Sequence, residues 1–260
     1  MVSLKNRIVF VTGATSGIGL SCARAFAAEG ARLLLAARRR ARLESLCAEL
    51  AERYKTANRI LELDVRQQAD VERALEALPA EWKAVEVLVN NAGLSRGLDK
   101  LHQGKLSDWE EMIDTNIKGL LYVSRVVIPW MVDRGRGHII NIGSVAGREV
   151  YPGGNVYCAT KAAVRALSQG LRVDLLGTNV RVTNIDPGMV ETEFSLVRFH
   201  GDKERADKVY KGIKPLSGDD IADLAVFCAT RPPHVNIADV LIMPTAQASP
   251  AFLHREESKG

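Results

Sequence analysis

The chain has 260 residues, of which 47% are hydrophobic and 25% are charged, and its formal net charge is +4. This length allows one large α/β domain or two small ones. The basic residues are scattered apart from the run RRRAR at 38–42, so we expect no nucleic-acid partner.

The sequence also argues against a membrane span, disulfide bonds and a metal site. No apolar segment approaches the roughly 20 residues that a membrane span requires. The four cysteines are far apart, which favours free thiols in a reducing compartment. None of the five histidines lies in a zinc-ligating motif. We therefore expect a cytoplasmic protein without a membrane or metal partner.

Short apolar runs alternate with longer amphipathic stretches along the whole chain. Runs such as RIVFVTG, ARLLLAA and VEVLVNNAG are apolar almost throughout, as strands buried on both faces should be. The amphipathic stretches at 19–29, 40–54, 67–78, 108–128 and 155–176 are typical of helices. The alternation predicts a Rossmann-type doubly wound parallel sheet flanked by helices, in a single domain spanning 1–260.

A glycine-rich loop, TGATSGIG, follows the first predicted strand and begins the first helix. Gly13, Gly17 and Gly19 allow a tight turn, a close approach to a pyrophosphate and close packing of the helix. The helix N-terminus then presents free N–H groups to the anion. Strand, loop and helix in this order favour a dinucleotide site over a purely structural turn.

The end of the second strand indicates which dinucleotide binds. An NAD site usually has an acidic residue there for the ribose 2′-hydroxyl, but this chain reads LLLAARRRARL, with no acid before Glu44. An arginine can form charge-assisted hydrogen bonds to a 2′-phosphate. We therefore expect NADP, with Arg38 as the first candidate and Arg39 as the second. The alternative for both arginines is that they are solvent-exposed residues at the start of a helix and bind no phosphate.

Two further strand ends carry polar or small residues. Asp64 ends the third strand and is expected either to cap the next helix or to accept a hydrogen bond from an adenine amino group. After the fourth strand, Asn90, Ala92 and Gly93 form a small-residue turn that lets the cofactor pass closely.

Tyr157 and Lys161 are four residues apart and therefore share one face of a predicted helix. A free phenol has a pKa of about 10, and a nearby ammonium favours the phenolate. Alone, such a pair is usually an exposed surface feature. Ser144 ends the strand HIINIGS and can hydrogen-bond a substrate carbonyl, and Asn116 is a polar residue within an apolar helix.

Taken together, these motifs resemble the short-chain dehydrogenase/reductase family. TGATSGIG, NNAG, the asparagine of DTNIKG, the serine of NIGSVAG, YCATK and DPG occur in the family's order and at its intervals. The resemblance implies that Tyr157 is the general acid/base and that Lys161 holds the nicotinamide ribose and lowers the pKa of Tyr157. It implies that Ser144 polarises the carbonyl, that Asn116 supports a proton relay, and that the enzyme is a homotetramer.

On this basis we expect the cofactor to contact a set of residues at the strand ends. They are Gly13, Thr15, Ser16, Gly17, Ile18, Gly19, Arg38, Arg39, Asp64, Val65, Asn90, Ala92, Gly93, Tyr157, Lys161, Pro187, Gly188 and Val190.

Substrate choice is expected to depend on a lid at about 189–215 and on a C-terminal tail from about 244. The segments TEFSLVRFHGD and HVNIADVLIMPTAQA resemble the subgroup that acts on 3-hydroxy acids and serine-type amino acids. A carboxylate needs a cation, and Arg198 and Arg148 are the candidates, although the subgroup often has an uncharged residue in place of Arg148. The alternatives are a broad carbonyl reductase for neutral ketones and aldehydes, and a non-catalytic NADP-binding sensor.

Overall fold

The computed structural model describes residues 2–256. Seven parallel strands form one sheet. The strands are β1 (Ile8–Thr12), β2 (Arg32–Ala37), β3 (Asn58–Glu62), β4 (Val85–Asn90), β5 (Gly137–Ile142), β6 (Val180–Pro187) and β7 (Asp239–Ile242). Their order in the sheet is β3-β2-β1-β4-β5-β6-β7. The order reverses between β1 and β4, and such a reversal creates a crevice at the carboxyl ends of the strands.

Helices connect the strands. They are α1 (Gly17–Ala28), α2 (Arg40–Tyr54), α3 (Gln68–Glu76), α4 (Leu106–Ile113), α5 (Leu120–Asp133), α6 (Asn155–Asp174), α7 (Phe194–Arg198), α8 (Lys203–Tyr210) and α9 (Gly218–Ala229). Short 3-10 turns lie at Ala80–Trp82, Leu101–Gln103 and Val145–Gly147. A π-helical segment, Asp114–Gly119, joins α4 to α5. Within residues 2–256, no helix has both the length and the apolar composition needed to cross a bilayer.

Hydrophobic clusters cover both faces of the sheet. Successive strand residues point to opposite faces, so Val9 and Val11 pack with α1, α2 and α9, whereas Ile8 and Phe10 pack with α3 and α5. Phe26 of α1 is fully buried in the first cluster. Burial on both faces explains why the strand sequences are apolar almost throughout. The predicted single-domain, doubly wound parallel sheet is confirmed.

Candidate active site

A groove of about 320 Å³ lies at the carboxyl ends of β1, β4, β5 and β6. Most of the residues that we expected to contact a cofactor line it. They are Gly13, Thr15, Ser16, Gly17, Ile18, Arg38, Arg39, Asp64, Val65, Ala92, Gly93, Tyr157, Lys161, Pro187, Gly188 and Val190, together with Ser144. Gly19, Asn90, Asn116, Arg148 and Arg198 are outside this lining. The fold therefore brings motifs from distant parts of the sequence to one groove.

The glycine loop is held against the turn after β4. Gly13 has a φ of +65°, a left-handed conformation that favours glycine. A Cβ at Gly19 would overlap the carbonyl oxygen of Gly13, so Gly19 allows α1 to begin close to the loop. Asn91 fixes this contact because its Nδ2 donates to the carbonyl of Thr12 at 2.9 Å. Asn91 also lines the groove, although the motif NNAG had indicated only its neighbour Asn90 as a cofactor contact.

The arginines after β2 have different environments. Arg38 lines the groove and makes no hydrogen bond or ion pair with the described residues 2–256. Arg39 donates to Thr15 Oγ1 at 3.3 Å and pairs with Glu193 at 3.3 Å. Arg42 pairs with the same carboxylate at 2.8 Å. Glu193 therefore compensates part of the positive charge at the start of α2, and no local sequence pattern indicated this partner.

Asp64 lines the groove and does not cap the next helix. Helix α3 begins at Gln68, and its N-cap residue is Gln67. Both carboxylate oxygens of Asp64 instead accept from Arg66, with distances from Nε of 3.0 Å. Burial raises the pKa of Asp64, but the hydrogen bonds from Arg66 outweigh it, and the net pKa is lowered. Of the two expected roles, the capping role is therefore wrong.

Asn90 and Asn116 are buried beside the groove. Asn90 Nδ2 donates to Ser124 at 3.0 Å and to Asn141 at 2.9 Å, so this side chain joins β4 to α5 and β5 and does not face the groove. Asn90 Oδ1 is also buried and has no hydrogen-bond partner among the described residues, so the Asn90 side chain is held within the sheet packing and not in the groove lining.

Asn116 lies in the π-helical segment, an irregularity that often occurs at functional sites. Its Oδ1 accepts from the Leu94 N–H at 2.8 Å, and its Nδ2 donates to Thr160 at 3.0 Å. A Cβ on Gly93 would lie 3.5 Å from Lys161 Nζ and 3.3 Å from Asn116 Oδ1. Asn116 is therefore close to Lys161, although the amide is hydrogen-bonded to the loop after β4 and to α6.

Arg148 forms an ion-pair network behind Ser144. The Ser144 N–H donates to Asp186 Oδ1 at 3.0 Å, and Arg148 Nε lies 2.7 Å from Asp186 Oδ2. The other end of the Arg148 guanidinium pairs with Asp239. Two carboxylates, those of Asp186 and Asp239, already neutralise the charge of Arg148. The structure therefore disagrees with the expectation that Arg148 is available to bind a substrate carboxylate.

Tyr157 and Lys161 lie in α6 and are both buried. Lys161 Nζ donates to the carbonyl of Ile142 at 2.9 Å and lies 6.0 Å from the centroid of the Tyr157 ring. Burial raises the pKa of Tyr157, and the nearby Tyr151 adds to this, whereas Arg198 and Ser144 act in the opposite direction. Burial also lowers the pKa of Lys161 to about 8.

The pKa of Tyr157 therefore differs from the expectation. We expected Lys161 to lower it, but in this structure desolvation of the phenolate dominates and the pKa rises. The cation that most opposes the rise in the Tyr157 pKa is Arg198.

Arg198 lies against three aromatic rings at the end of α7. Its guanidinium carbon is 4.9 Å from the centroid of Phe194 and 5.4 Å from that of Tyr157. Its Nη2 donates to the Tyr151 hydroxyl at 3.0 Å. Its Nε is buried and has no hydrogen-bond partner among the described residues. A positively charged donor is thus held beside Tyr157 with unused hydrogen-bonding capacity.

The segment at 189–215 contains α7 and α8 and is tied to the C-terminal tail. Gln247 Oε1 accepts from the Met189 N–H at 2.8 Å. The N–H of Glu256 donates to the carbonyl of Gly212 at 2.7 Å. Within the segment, the hydroxyls of Ser195 and Tyr210 are 2.8 Å apart.

Comparisons with known proteins agree with this architecture. The profile of the short chain dehydrogenase family matches residues 7–202. The NADP-dependent 3-hydroxy acid dehydrogenase of Salmonella typhi is 52% identical over 242 residues, which cover 93% of this chain and 96% of that protein. Sulfoacetaldehyde reductase 2 of Chromohalobacter salexigens is 46% identical over 246 residues, covering 94% and 97%. The closed form of a serine dehydrogenase complexed with NADP+ superimposes with a TM-score of 0.89 at 48% identity, covering 96% and 100% of the chains.

Proposed function

The chain belongs to the short-chain dehydrogenase family, and we propose that it is an NADP-dependent oxidoreductase acting on a small 3-hydroxy acid or serine-type amino acid. The relatives named as NADP-dependent 3-hydroxy acid dehydrogenase and serine dehydrogenase support this proposal. The observation that carries it is the position of Arg198, a cation with a buried unpaired Nε beside the Tyr157 ring. A cation there suits a substrate whose carboxylate lies close to the reacting hydroxyl.

The groove fits a dinucleotide phosphate. The glycine loop and the N-terminus of α1 line the groove and would hold the pyrophosphate, because the first N–H groups of a helix are free to bind an anion. Arg38 has no competing partner in residues 2–256 and would bind the 2′-phosphate. Arg39 would assist it, and Asp64 lies where an adenine amino group could donate. Bound NADP(H) supplies the hydride that the protein itself cannot provide.

We assign the proton transfer to Tyr157. In the reduction direction, its raised pKa keeps the phenol protonated at neutral pH, and a protonated phenol can donate to the alkoxide that forms from the carbonyl. Ser144 would orient and polarise the same oxygen. Asp186 fixes the backbone of Ser144, because its Oδ1 accepts from the Ser144 N–H.

Lys161 and Asn116 are assigned supporting roles. Lys161 Nζ donates one hydrogen bond to the Ile142 carbonyl and would use another of its N–H groups to bind the nicotinamide ribose. Removing a proton from the substrate hydroxyl, as oxidation requires, needs a lower Tyr157 pKa, and the positive charges of Arg198 and Lys161 act in that direction. Asn116 would hold the loop after β4 in place beside Lys161 and support a relay through water.

We propose that residues 189–215 form a substrate lid and that the tail from 244 supports it. The ion pairs of Glu193 with Arg39 and Arg42 would connect the lid to the 2′-phosphate site. The bonds from the tail to Met189 and Gly212 support the same assignment.

Two alternative activities differ from this proposal in substrate. A broad carbonyl reductase would use the same proton donor without a need for Arg198. A sulfonate would suit Arg198 as well as a carboxylate does, and a relative named sulfoacetaldehyde reductase makes a sulfonate substrate a specific second candidate.

The third alternative is a protein that binds NADP as a sensor and has no catalytic activity. Such a sensor would not need Asn116, Ser144, Tyr157 and Lys161 together.

The test is turnover by the wild-type enzyme on a matched panel. The panel contains 3-hydroxybutyrate, L-serine, methyl 3-hydroxybutyrate, sulfoacetaldehyde and propanal, each assayed with NADP(H) and NAD(H) by nicotinamide absorbance. We expect the highest kcat/KM for a carboxylate with NADP. Equal values for the acid and its methyl ester would favour the broad carbonyl reductase, and no turnover of any compound would favour the sensor.

We also propose that the enzyme is a cytoplasmic homotetramer. Val173 in the last turn of α6 and Leu176 just after the helix are 70% and 87% exposed, and a second subunit would cover such apolar side chains. The four cysteines are free thiols, which suits a reducing compartment. Light scattering coupled to gel filtration should give four times the 28.4 kDa mass of the chain.

A further inference from the structure

Arg96 connects the loop after β4 to α4 and α7. It lies in the loop after β4, and its Nε donates to Glu111 Oε2 of α4 at 2.7 Å. Its Nη2 donates to the other carboxylate oxygen of Glu111 at 3.3 Å. Its Nη1 donates to the carbonyl of Val197 in α7. Each of the three guanidinium nitrogens thus donates a hydrogen bond within the protein, and both side chains of the ion pair are largely buried, at 17% and 20% exposure.

The position of helix α7 depends on hydrogen bonds from outside the helix. It has only five residues, of which Ser195 alone is buried, and a helix this short is not stable by itself. The last carbonyls of any helix lack intrahelical partners. Here Arg96 binds the carbonyl of Val197, and the Gly97 N–H binds the carbonyl of Arg198 at 2.9 Å. Two consecutive loop residues therefore fix the end of α7 from which the Arg198 side chain extends.

Glu111 holds the Arg96 guanidinium in this orientation. The bond from Arg96 lowers the pKa of Glu111 despite its partial burial, so the carboxylate stays charged. Arg66 also pairs with Glu111, at 3.3 Å. Because Arg96 is already occupied by a carboxylate and a carbonyl, its own charge is not available to a substrate.

We infer that Arg96 is a positioning residue for substrate anions, acting through the backbone of α7 to place the Arg198 guanidinium over Tyr157. This inference rests on the proposed function of Arg198 and adds a residue that no catalytic motif contains. Loss of Arg96 should weaken recognition of the substrate anion and leave cofactor binding and proton transfer intact.

The experiment compares 3-hydroxybutyrate with methyl 3-hydroxybutyrate, which has the same carbon skeleton without the charge. The variants are Arg96→Met, Arg198→Ala and the double variant. Arg73→Met, which removes an exposed arginine from an ion pair in α3, is the control. For Arg96→Met we expect the KM for the acid to rise by about ten- to hundredfold, the scale of a misplacement of about 1 Å. The kcat, the KM for the ester and the Kd of NADP+ should change less than about threefold.

Arg96→Met and Arg198→Ala should be strongly non-additive if the first acts through the second. The double variant should then resemble Arg198→Ala alone. Additive losses, equal losses on acid and ester, or an unchanged Arg96→Met would overturn the inference. If Arg198→Ala itself does not distinguish the acid from the ester, the proposed anion site has failed, and the inference fails with it. Glu111→Gln, which keeps the side-chain shape, should show the same selective rise at smaller size if Arg96→Met does not fold.

Discussion

Arg148 is paired with the fully buried carboxylate of Asp186, and its Nε lies 2.7 Å from Oδ2. The same carboxylate accepts from the Ser144 N–H, so the pair lies directly behind a proposed catalytic residue. The Arg148 side chain is 25% exposed, whereas that of Asp186 is not exposed at all. This asymmetry means that removing the arginine would leave a buried charge without its partner.

We therefore predict that Arg148→Ala lowers the free energy of unfolding by about 3–5 kcal/mol, the usual cost of breaking a buried pair. Denaturant unfolding at one fixed protein concentration measures it, since an oligomer's stability depends on concentration. Arg165→Ala is the matched control. Arg165 is 46% exposed and lies 3.4 Å from Asp239, so its loss should cost less than about 1 kcal/mol. Equal losses in the two variants would contradict a structural role for Arg148.

Arg198→Ala should impair recognition of anionic substrates selectively. The variant loses a charged hydrogen bond worth about 1.5–3 kcal/mol, so the KM for 3-hydroxybutyrate should rise by about ten- to hundredfold. The KM for its methyl ester should change little. Steady-state kinetics on both substrates provide the comparison. A similar selective rise in Arg148→Ala, rather than in Arg198→Ala, would move the anchor to Arg148.

Short sequence motifs correctly predicted those parts of the fold and site that are formed by residues close together in the chain. Helix α2 begins and ends at the predicted residues 40 and 54, and the glycine loop lies between β1 and α1 as expected. The predicted helix at 108–128 is in the structure a continuous run of α4, the π-helical segment and α5. Periodicity indicated its amphipathic face but not the change in hydrogen bonding near Asn116.

The sequence did not predict which distant charges pair. Glu193 is 151 residues from Arg42, and Asp239 is 91 residues from Arg148. Such pairs depend on strand order and side-chain rotamers, neither of which has a local signature. The sequence also provided no measure of how strongly burial raises the pKa of Tyr157. A four-residue spacing places Lys161 on the same face, but it does not reveal how completely the fold removes the phenol from water.

Cofactor preference should depend on Arg38. Arg38→Asp removes a phosphate partner and adds a repulsive charge, so the preference for NADP over NAD should fall by roughly tenfold to hundredfold or more. The ratio of kcat/KM for the two cofactors is the measurement. Arg53→Asp, near the end of α2 and away from the groove, controls for the change in net charge. A wild-type enzyme that prefers NAD would refute the assignment before any variant is made.

Tyr157→Phe should retain cofactor binding and lose most turnover. The ring contacts with Phe194 and Arg198 remain, but the transferable proton is absent. We expect kcat to fall by about 10²–10⁴-fold, the usual range for general acid/base groups. The Kd of NADPH, followed by nicotinamide fluorescence, should be nearly unchanged. Nearly full activity would exclude Tyr157 as the proton donor.

The burial of Lys161 predicts a specific dependence of stability on pH. Burial lowers its pKa from 10.5 to about 8, with Asp186 opposing the shift. Below pH 8 both the folded and unfolded states hold the proton, and the folded state carries the full cost of a buried charge, about 3 kcal/mol from the linkage relation. Between pH 8 and 10.5 the unfolded state binds more protons than the folded state, so stability rises with pH. Above 10.5 the cost disappears.

Lys161→Met removes this titration, so its free energy of unfolding should exceed that of the wild type most at pH 7 and progressively less towards pH 10. Denaturant unfolding of the cofactor-free enzymes at matched concentration measures the difference at each pH. Lys203→Met, an exposed lysine at the start of α8, shows what removing one positive charge does by itself. A difference between Lys161→Met and the wild type that is constant from pH 7 to 10, after subtraction of that control, would mean that Lys161 is not destabilised by burial. The ammonium would then be charged in the folded enzyme even at pH 9, and its positive charge would favour the phenolate of Tyr157 throughout this range.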